Sequence, residues 1–409
     1  MPAGRRDTAD LVVVGAGTLG GWAGTFAAED GVGRVVTLEK GVAGQGASSR
    51  AAGVVRAQGG TAVTVRLGMW SIDFYGRQRE RFGTDSGFRE LGYLLLALGA
   101  RDEREGRDRV AMQRGVGLDV RWVDAAEAAE LDPTLDAARI RGASYAPGDG
   151  CIDPPRNVRA YSLAMRQAGV ELRERTRFLG LRTARARGGT RRVTGVLTSG
   201  GTIATERVLL TGGPVLRAVG RSAGVRVPVG GVRHQVAVTE PHPAFDVERL
   251  PMGFDLGAGL YWRLEEGGLL FGMSNPKETP GPARGIDWPY LRAMRRRLAR
   301  YVPVTAGLEI RKAWAATIDY TPDHLPILGP ALEASGTEIR GAVVASAGGH
   351  GMMWGPAVAR LAADLVLTGS TGLMDVADLG LDRFDRHGRS RLVADPIALF
   401  FLLSADDPG

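Results

Sequence analysis

The residues with the clearest chemical signature form a glycine motif near the N-terminus. Gly15, Gly17 and Gly20 are spaced G-x-G-x-x-G directly after the apolar run of residues 11–14. This pattern predicts a buried strand, a tight turn and a helix whose first N–H groups can bind the phosphates of a dinucleotide. Glu39 follows about 20 residues later, where an acid can accept hydrogen bonds from a ribose. A glycine turn without a ligand is the alternative, but the complete β-α-β pattern favours NAD or FAD.

A loop of small and hydroxylated residues follows Glu39 and helps to separate these two cofactors. It contains Ser48, Ser49, Arg50 and Gly53. In a nicotinamide enzyme the next strand–helix unit would normally begin here. A loop of this composition can instead lie flat against a large ring system, which favours FAD. A flexible surface loop is the alternative.

A second glycine-rich segment, residues 346–356, carries a candidate catalytic histidine. His350 lies between Gly349 and Gly351, and Pro356 stands at the start of a predicted helix. The N-terminus of a helix carries partial positive charge, which would stabilise an anionic reduced flavin. A purely structural role is the alternative for His350.

Composition bounds the class of protein. The chain has 409 residues, enough for two structural domains, and 44% of them are apolar. The net charge of +7 could indicate a nucleic-acid-binding surface, but the arginines are scattered among acids and the tightest basic run is residues 295–297. We therefore expect no nucleic-acid partner.

The termini and the cysteine content bear on location. Cys151 is the single cysteine, so no intrachain disulfide framework can form. Residues 1–6 lack the apolar region of an export signal, and the apolar stretch 397–403 is too short to cross a bilayer. These features predict a soluble, cytoplasmic protein without a membrane span.

The apolar periodicity predicts an α/β plus α+β fold. We expect a Rossmann-like FAD-binding domain of the glutathione-reductase type, and a second, substrate-binding domain with a mixed, largely antiparallel sheet that forms a lid. The FAD-binding domain is predicted to be discontinuous, with residues 1–85, 149–227 and 315–409. The substrate domain takes residues 86–148 and 228–314. The predicted helices lie at about 18–29, 61–81, 104–114, 157–168, 288–301 and 355–367.

Several segments together resemble the D-amino-acid oxidase type of FAD-dependent oxidoreductases. The closest resemblance is to the branch of the sarcosine oxidase β-subunit, glycine oxidase and D-amino-acid dehydrogenase. The N-terminal glycine motif combined with the C-terminal Thr-Pro-Asp and Gly-His-Gly sequences is specific for the superfamily but poor at naming a substrate. The segments that carry the resemblance are residues 1–60, 92–93, 149–154, 320–330 and 349–352, so that it extends over nearly the whole chain.

The resemblance implies roles for particular residues. Phe178 would meet the adenine through its backbone, Gly212 would lie near the diphosphate, and residues 348–352 would border the flavin's pyrimidine edge. The substrate-facing, catalytic group would be Arg56, Tyr261, Arg263 and His350. No metal ligand is expected. The full set expected to bind FAD is Gly15, Gly17, Gly20, Glu39, Lys40, Ser48, Ser49, Arg50, Gly53, Phe178, Gly212, Gly348, Gly349, His350, Gly351 and Met352.

Departures from the family pattern bear on the flavin link and on oxygen. Ala316 stands where some relatives attach FAD through a cysteine, and Arg50 where others use a histidine, so non-covalent FAD is expected. Leu270 and Met353 stand where monomeric sarcosine oxidases carry lysines. These two positions weaken the specific assignment "sarcosine oxidase" and leave open whether oxygen or another acceptor takes the electrons.

The predicted reaction is oxidation of a C–N bond in a small amine, N-alkyl amino acid or amino acid, by hydride transfer to flavin N5 to give an imine. Arg56 or Arg263 would hold a carboxylate through paired hydrogen bonds, and His234 and His324 are further candidates for polar contacts. One alternative is a subunit or assembly-type flavoprotein of an electron-transfer complex. Another is oxidation of a 2-hydroxy acid or a biosynthetic tailoring intermediate. The sequence is compatible with a homo-oligomer or a partner subunit.

Overall fold

The computed structural model describes residues 7–185 and 189–397. Residues 1–6 and 398–403, which entered the prediction of location, lie outside the described residues. Within the described ranges, no helix is both long enough and apolar enough to cross a membrane.

The secondary-structure elements follow one another in three stretches of the chain. The first contains β1 (Leu11–Val14), α1 (Thr18–Glu29), β2 (Val35–Leu38), β3 (Val54–Val55), α2 (Ala62–Phe82), β4 (Arg89–Glu90), β5 (Tyr93–Ala97), α3 (Ala100–Gly115), β6 (Arg121–Asp124), α4 (Ala125–Leu131) and β7 (Gly142–Ala146). The second contains β8 (Gly150–Cys151), α5 (Pro154–Gln167), β9 (Glu171–Arg173), β10 (Phe178–Arg185), β11 (Arg191–Thr198), β12 (Gly201–Ile203), β13 (Val208–Leu210) and α6 (Leu216–Ala223). The third contains β14 (Gly230–Thr239), β15 (Met252–Asp255), β16 (Leu260–Glu265), β17 (Gly268–Met273), α7 (Trp288–Tyr301), β18 (Ile310–Tyr320), β19 (Ile327–Leu332), β20 (Glu338–Ser346) and α8 (Gly355–Thr368).

A nine-stranded sheet forms the centre of the dinucleotide-binding part. Its main order is β10-β11-β20-β13-β1-β2-β9, with β12 beside β11 and β19 beside β20. Strand β1 lies between β13 and β2 and is parallel to both, and all four of its residues are buried. A strand covered on both faces must be apolar throughout, which is why Leu11–Val14 contains no polar residue. The predicted Rossmann-like unit is confirmed.

Helices α1, α2, α5 and α8 pack together over one face of this sheet. Aromatic side chains fill the space between α1 and α2, where the ring centroids of Trp22 and Phe74 are 4.9 Å apart and those of Trp22 and Phe82 5.3 Å. Helix α2 begins at Thr61, whose Oγ1 accepts a hydrogen bond from Thr64 N at 3.3 Å, and it ends at Gly83, where φ is +66°. This layer fixes the direction in which α1 points its N-terminus.

An eight-stranded sheet, ordered β18-β14-β17-β16-β15-β5-β7-β6, forms the second part. Its strand pairs are antiparallel except for β5 and β15. Helix α7 packs on one face through Leu291, Met294 and Leu298. The prediction of a mixed, largely antiparallel sheet is confirmed. The domain boundaries stay a prediction, and the one at residue 315 falls within β18.

Candidate active site

The glycine motif forms a close junction between β1 and α1. Gly15 has a φ of +99°, and a Cβ at Gly20 would lie 1.9 Å from the carbonyl oxygen of Gly15. The first turn of α1 therefore packs directly on the preceding turn. Gly17 provides no side-chain cap, and the first turn holds no acidic residue. This helix N-terminus suits a phosphate, which needs backbone N–H groups and close approach.

Glu39 joins this junction to the end of β2. Its carboxylate accepts hydrogen bonds from Ala16 N at 3.1 Å and Gly41 N at 2.8 Å. Its own carbonyl accepts from Thr176 N at 2.8 Å, close to the start of β10 at Phe178. A carboxylate has about four acceptor sites, so two backbone donors leave capacity for ribose hydroxyls. Phe178 is buried near this end of the sheet, while Lys40 is exposed.

Four segments that are distant in sequence meet at the start of α1. Thr18 N and Oγ1 lie 3.0 and 3.2 Å from Ser48 Oγ. Asn157 Nδ2 donates to Thr18 Oγ1 at 3.0 Å and lies 3.6 Å from Met352 Sδ. The loop at Ser48 and the turn at Met352 are thus held on the same helix end. Asn157 carries no motif, so the sequence offered no signal for it.

Glycines also leave open the surface against which a planar ring could lie. Gly53, Gly348 and Gly349 have φ values of +75°, +59° and +92°, and a Cβ at Gly349 would lie 2.7 Å from Asp319 O. Among the described residues other than its two chain neighbours, none has an atom within 4 Å of the Cβ position of Gly351. The backbone at Gly349 therefore packs closely against Asp319, while the position of Gly351 leaves space for a ligand. These residues fit a flavin, and the glycine motif fits the phosphates of the ADP part of FAD.

A cavity lies between this surface and the eight-stranded sheet. Strand register brings its far wall together, because His234 pairs with Ala316, and Phe254 with Tyr261. Gly15, Gly17, Gly20, Glu39, Lys40, Ser49, Phe178, Gly212, Gly348 and Arg263 do not line the cavity. The residues predicted for the site that do line it are Ser48, Arg50, Gly53, Arg56, Tyr261, Gly349, His350, Gly351 and Met352.

Arg56 brings a buried positive charge to the cavity wall. It is 4% exposed, and its guanidinium lies 5.9 Å from the ring centroid of Phe254. Nη1 donates to the carbonyl oxygen of Gln58, and among the described residues the guanidinium has no acidic partner in an ion pair. The buried carboxylate of Asp149, which accepts hydrogen bonds from Ala57 N and Gln58 Nε2, interacts electrostatically with this charge. A buried cation without a counter-charge in direct contact is nevertheless costly. A carboxylate brought by a ligand would supply that counter-charge.

Arg263, which was also expected to face the substrate, has a different environment from Arg56. Its Nε donates to Ala52 O at 2.8 Å and its Nη1 to Leu264 O at 2.9 Å, and Glu265 completes an ion pair. Both Nε and Nη1 of Arg263 have partners, and the side chain does not line the cavity. Arg263 therefore stabilises the loop at Ala52. We do not propose it as a substrate ligand.

A polar network crosses the far wall. His234 Nε2 lies 2.8 Å from Tyr261 Oη, His234 Nδ1 lies 3.3 Å from Ser274 Oγ, and Ser274 Oγ lies 3.3 Å from Tyr320 Oη. Burial lowers the pKa of His234 to about 4, so the imidazole is neutral near pH 7. The four residues lie on β14, on β16, directly after β17, and on β18. The sequence pointed to His234 and Tyr261 separately, and only the pairing of these strands shows that they belong to one network with Ser274 and Tyr320.

His350 is also neutral. Its Nδ1 lies 3.2 Å from Gly348 O, and its ring centroid is 4.1 Å from that of Trp354. Burial, with smaller effects of Arg56 and His324, lowers the pKa of His350 to about 3. A neutral ring with Nδ1–H bonded to a carbonyl leaves Nε2 as an acceptor. His324, by contrast, packs on Tyr320 outside the cavity lining.

Comparison with known proteins identifies the family of the chain. The sequence model of the DAO family, described as FAD dependent oxidoreductase, matches residues 10–365. The chain belongs to this family, and its cofactor is FAD.

Two relatives and one solved structure illustrate the similarity. The chain is 31% identical to glycine oxidase of Geobacillus kaustophilus, over 91% of this chain and 97% of the relative. It is 29% identical to 4-methylaminobutanoate oxidase (formaldehyde-forming) of Paenarthrobacter nicotinovorans, over 93% of this chain but only 46% of the relative. The chain therefore spans about half the length of that second relative. L-proline dehydrogenase from P. horikoshii superposes with a TM-score of 0.80 at 25% identity, covering 90% of this chain and 96% of the other.

Proposed function

We propose that the chain binds FAD non-covalently and oxidises the C–N bond of a small amino acid or N-alkyl amino acid. The observation that carries this proposal is Arg56, a buried cation that forms no ion pair among the described residues and lines the cavity beside the Gly349–Met352 turn. Such a group would bind a substrate carboxylate and fix the orientation of the amine relative to the ring.

FAD would be held in two places by the residues described above. Gly15, Gly17, Gly20 and Glu39 would hold the ADP part, and Ser48 and residues 348–352 would border the ring. When bound, FAD would supply the oxidising power as the acceptor, at its N5, of a hydride from the substrate carbon, and the protonated imine left behind would be hydrolysed by water. Ala316 lines the cavity where some relatives have a linking cysteine, which supports non-covalent binding.

The chain's own residues prepare the amine for this reaction. Tyr93, Phe254 and Ile397 make much of the cavity wall apolar and exclude water. An ammonium group would lose its hydration here and face the positive charge of Arg56, and both effects favour the neutral amine. The neutral His234 and Tyr261 can then accept or donate a hydrogen bond without adding charge. A strong base is not needed.

A separate observation favours the alternative of a larger assembly. The chain spans about half of one similar oxidase, so further domains or a partner subunit could complete the protein's activity. The electron acceptor, the oligomeric state and the cytoplasmic location stay predictions. The cavity lining drawn from the described residues contains no lysine, which leaves oxygen and other acceptors as alternatives.

The first experiment is an absorption spectrum of the purified protein before and after acid precipitation. We expect a flavin spectrum that moves to the supernatant. Anaerobic bleaching should then be followed with pairs of compounds, each an amino acid and its decarboxylated amine. If Arg56 binds the carboxylate, kcat/KM should be at least about 100-fold higher for the amino acid, as expected for loss of a buried charge-assisted pair.

Three outcomes would contradict the proposal. A colourless protein that fails to take up FAD would exclude flavin chemistry. Bleaching by 2-hydroxy acids but not by amines would favour the hydroxy-acid alternative. Flavin that no small molecule reduces, but that a co-purifying protein reduces, would favour a role in an electron-transfer complex.

A further inference from the structure

The segment after α8 reaches the cavity although it lies outside the part matched by the family model. That match ends at residue 365, and α8 ends at Thr368. The chain then contacts β19 through residues 377–379 and 381–383 and arrives at Ile397, which lines the cavity and is 1% exposed. We call residues 379–397 the C-terminal segment.

Two buried acids fix the path of the C-terminal segment. Arg383 pairs with Asp323 through contacts of 2.7 and 3.0 Å, and both side chains are buried. Asp395 is 0% exposed; its N donates to Asp323 O at 3.1 Å, and its carboxylate accepts from Thr64 Oγ1 at 3.1 Å. The segment is therefore attached to the loop after β18 and to the start of α2.

Asp395 also sets the position of Ile397 directly. Its Oδ1 accepts from Ile397 N at 2.9 Å, and its Oδ2 from Gly60 N at 3.3 Å. A Cβ at Gly60 would lie 2.2 Å from Asp395 Oδ1. The missing side chain at Gly60 lets the segment come this close, and the turn at Asp395 then directs Ile397 into the protein.

Ile397 joins an apolar cluster with Tyr93, Met252 and Phe254. Tyr93 and Phe254 also line the cavity, and the ring of Phe254 faces the guanidinium of Arg56. Ile397 therefore belongs to the same wall as the proposed carboxylate ligand. A substrate held at Arg56 would direct a neighbouring substituent toward this wall.

We propose that Ile397 is a specificity-determining residue and that the substrate is an amino acid or N-alkyl amino acid with an apolar side group. This inference rests on the proposed function, since it places the carboxylate at Arg56. A side group of branched or cyclic carbon would fill the space against Ile397, Phe254 and Tyr93. Glycine or sarcosine would leave that apolar wall without contact. A single methylene in such a pocket changes kcat/KM by about 10- to 200-fold.

The test compares Ile397→Ala and Ile397→Phe with wild type, with Val393→Ala as the matched control. Val393 belongs to the same segment but is 87% exposed. The substrates are alanine, valine, proline and phenylalanine as both enantiomers. Ile397→Ala should raise the phenylalanine-to-alanine ratio of kcat/KM at least about tenfold, and Ile397→Phe should lower it by a similar factor. Val393→Ala should keep the ratio within about twofold of wild type.

A binding measurement keeps the inference separate from turnover. Acetate, propionate, isobutyrate and benzoate are titrated against the oxidised holoenzyme, and the change in flavin absorbance gives each Kd. In wild type, affinity should rise with the apolar size of the carboxylate until the available space is filled. In Ile397→Ala, the affinity for benzoate relative to acetate should be about tenfold higher than in wild type. The Kd for FAD should stay within about twofold in all variants, which shows that the site itself is intact.

The outcomes distinguish the two proposals. If no amino acid bleaches the flavin but the Kd values of the carboxylates change in the Ile397 variants, the proposed function fails, while the role of Ile397 in the cavity wall is supported. If amino acids bleach the flavin but both Ile397 variants keep the wild-type ratios, the inference about Ile397 is overturned. A wild-type enzyme that binds no carboxylate, or that prefers glycine and sarcosine over every larger substrate, overturns it as well.

Discussion

Two buried arginines show how partners decide what a residue can do. Arg56 and Arg263 are 4% and 3% exposed. Arg263 forms an ion pair with Glu265 and donates to two carbonyl groups. Arg56 donates to one carbonyl and faces an aromatic ring beside the cavity. Charge and burial are alike, but Arg263 has an ion pair whereas Arg56 has none among the described residues, and this difference points to Arg56 as the ligand for an anion.

The histidines at the cavity make stability depend on pH. Burial lowers the pKa of His234 to about 4 in the folded protein, against about 6.5 in an unfolded chain. Between these values the unfolded state binds a proton that the folded state does not. The free energy of unfolding therefore rises with pH through this window. The contribution of His234 to stability is lost as the pH falls from 6.5 toward 4.

We expect His234→Gln to lose less stability in acid than wild type. Between pH 7.5 and pH 5 the difference should be on the order of 2 kcal/mol, because the variant has no imidazole to protonate on unfolding. Urea unfolding at the two pH values measures this, and His350 contributes equally to both proteins. His387→Gln, at an exposed position, is the control and should follow wild type. Equal acid losses in wild type and His234→Gln would show that His234 is not held neutral.

At the scale of elements, the contact between α1 and the turn before it decides whether the phosphate site exists. A helix begins with unpaired N–H groups wherever it forms. What makes this N-terminus accessible is that Gly20 lets α1 lie directly on Gly15 O. Thr18 then connects the loop at Ser48 and the side chain of Asn157 to the same helix end. One added carbon atom at Gly20 would therefore displace α1 and alter the site.

We expect Gly20→Ala to abolish or strongly weaken FAD binding. The new Cβ would lie 1.9 Å from Gly15 O, so α1 must move away from the turn. The flavin-to-protein ratio after purification and the Kd for added FAD measure the effect, which should be at least about tenfold. Gly76→Ala in α2 is the matched control, since in the described part of the chain no atom outside the adjacent residues and the local helix backbone lies within 4 Å of its Cβ position. This control should bind FAD normally and gain up to about 1 kcal/mol in stability. Normal FAD affinity in Gly20→Ala would contradict the close junction.

At the scale of the whole molecule, the C-terminal segment connects the two sheets with the surface at Gly348 that is proposed to face the flavin ring. Arg383 is buried and donates to both Asp323 and Leu325 O. Leu325 O also lies 2.8 Å from the Cβ position of Gly348, so the loop supports the ring surface from below. Burial pushes the pKa of Asp323 upward, but the hydrogen bonds and charge of Arg383 keep it below its usual value.

We expect Arg383→Met to destabilise the protein by about 3–5 kcal/mol, because Asp323 would remain as a buried charge without its partner. The double variant Arg383→Met with Asp323→Leu should recover part of this loss. Denaturant unfolding of both single variants and the double variant gives the coupling energy. Arg391→Met is the control, since its side chain is 50% exposed and its ion pairs are at the surface, so its loss should stay below about 1 kcal/mol. If the loss of stability in Arg383→Met were as small as in this control, the Arg383–Asp323 pair would not hold the C-terminal segment in place.

The sequence by itself determined the parts of this protein that depend on local backbone conformation. Gly15, Gly17 and Gly20 between a strand and a helix could be read as a dinucleotide site because the turn requires glycine there. Helix α7 occupies the predicted residues 288–301 for a similar reason: Asp287 and Pro289 begin it, and its apolar face repeats at helical spacing. Helix α3 starts at Ala100 rather than 104, because Asp102 Oδ2 accepts from Gly99 N at 3.0 Å and extends the helix backwards.

The tertiary structure alone decided which side chains face the cavity. Tyr261 and Arg263 are two residues apart on β16, yet only Tyr261 lines the cavity. His234, Ser274 and Tyr320 join it through strand pairing and a turn between distant parts of the chain, and Ile397 arrives from beyond the last helix. Local patterns specify turns and helices, because their hydrogen bonds close within a few residues. The cavity wall depends on strand register and long-range packing, which no short stretch of sequence contains.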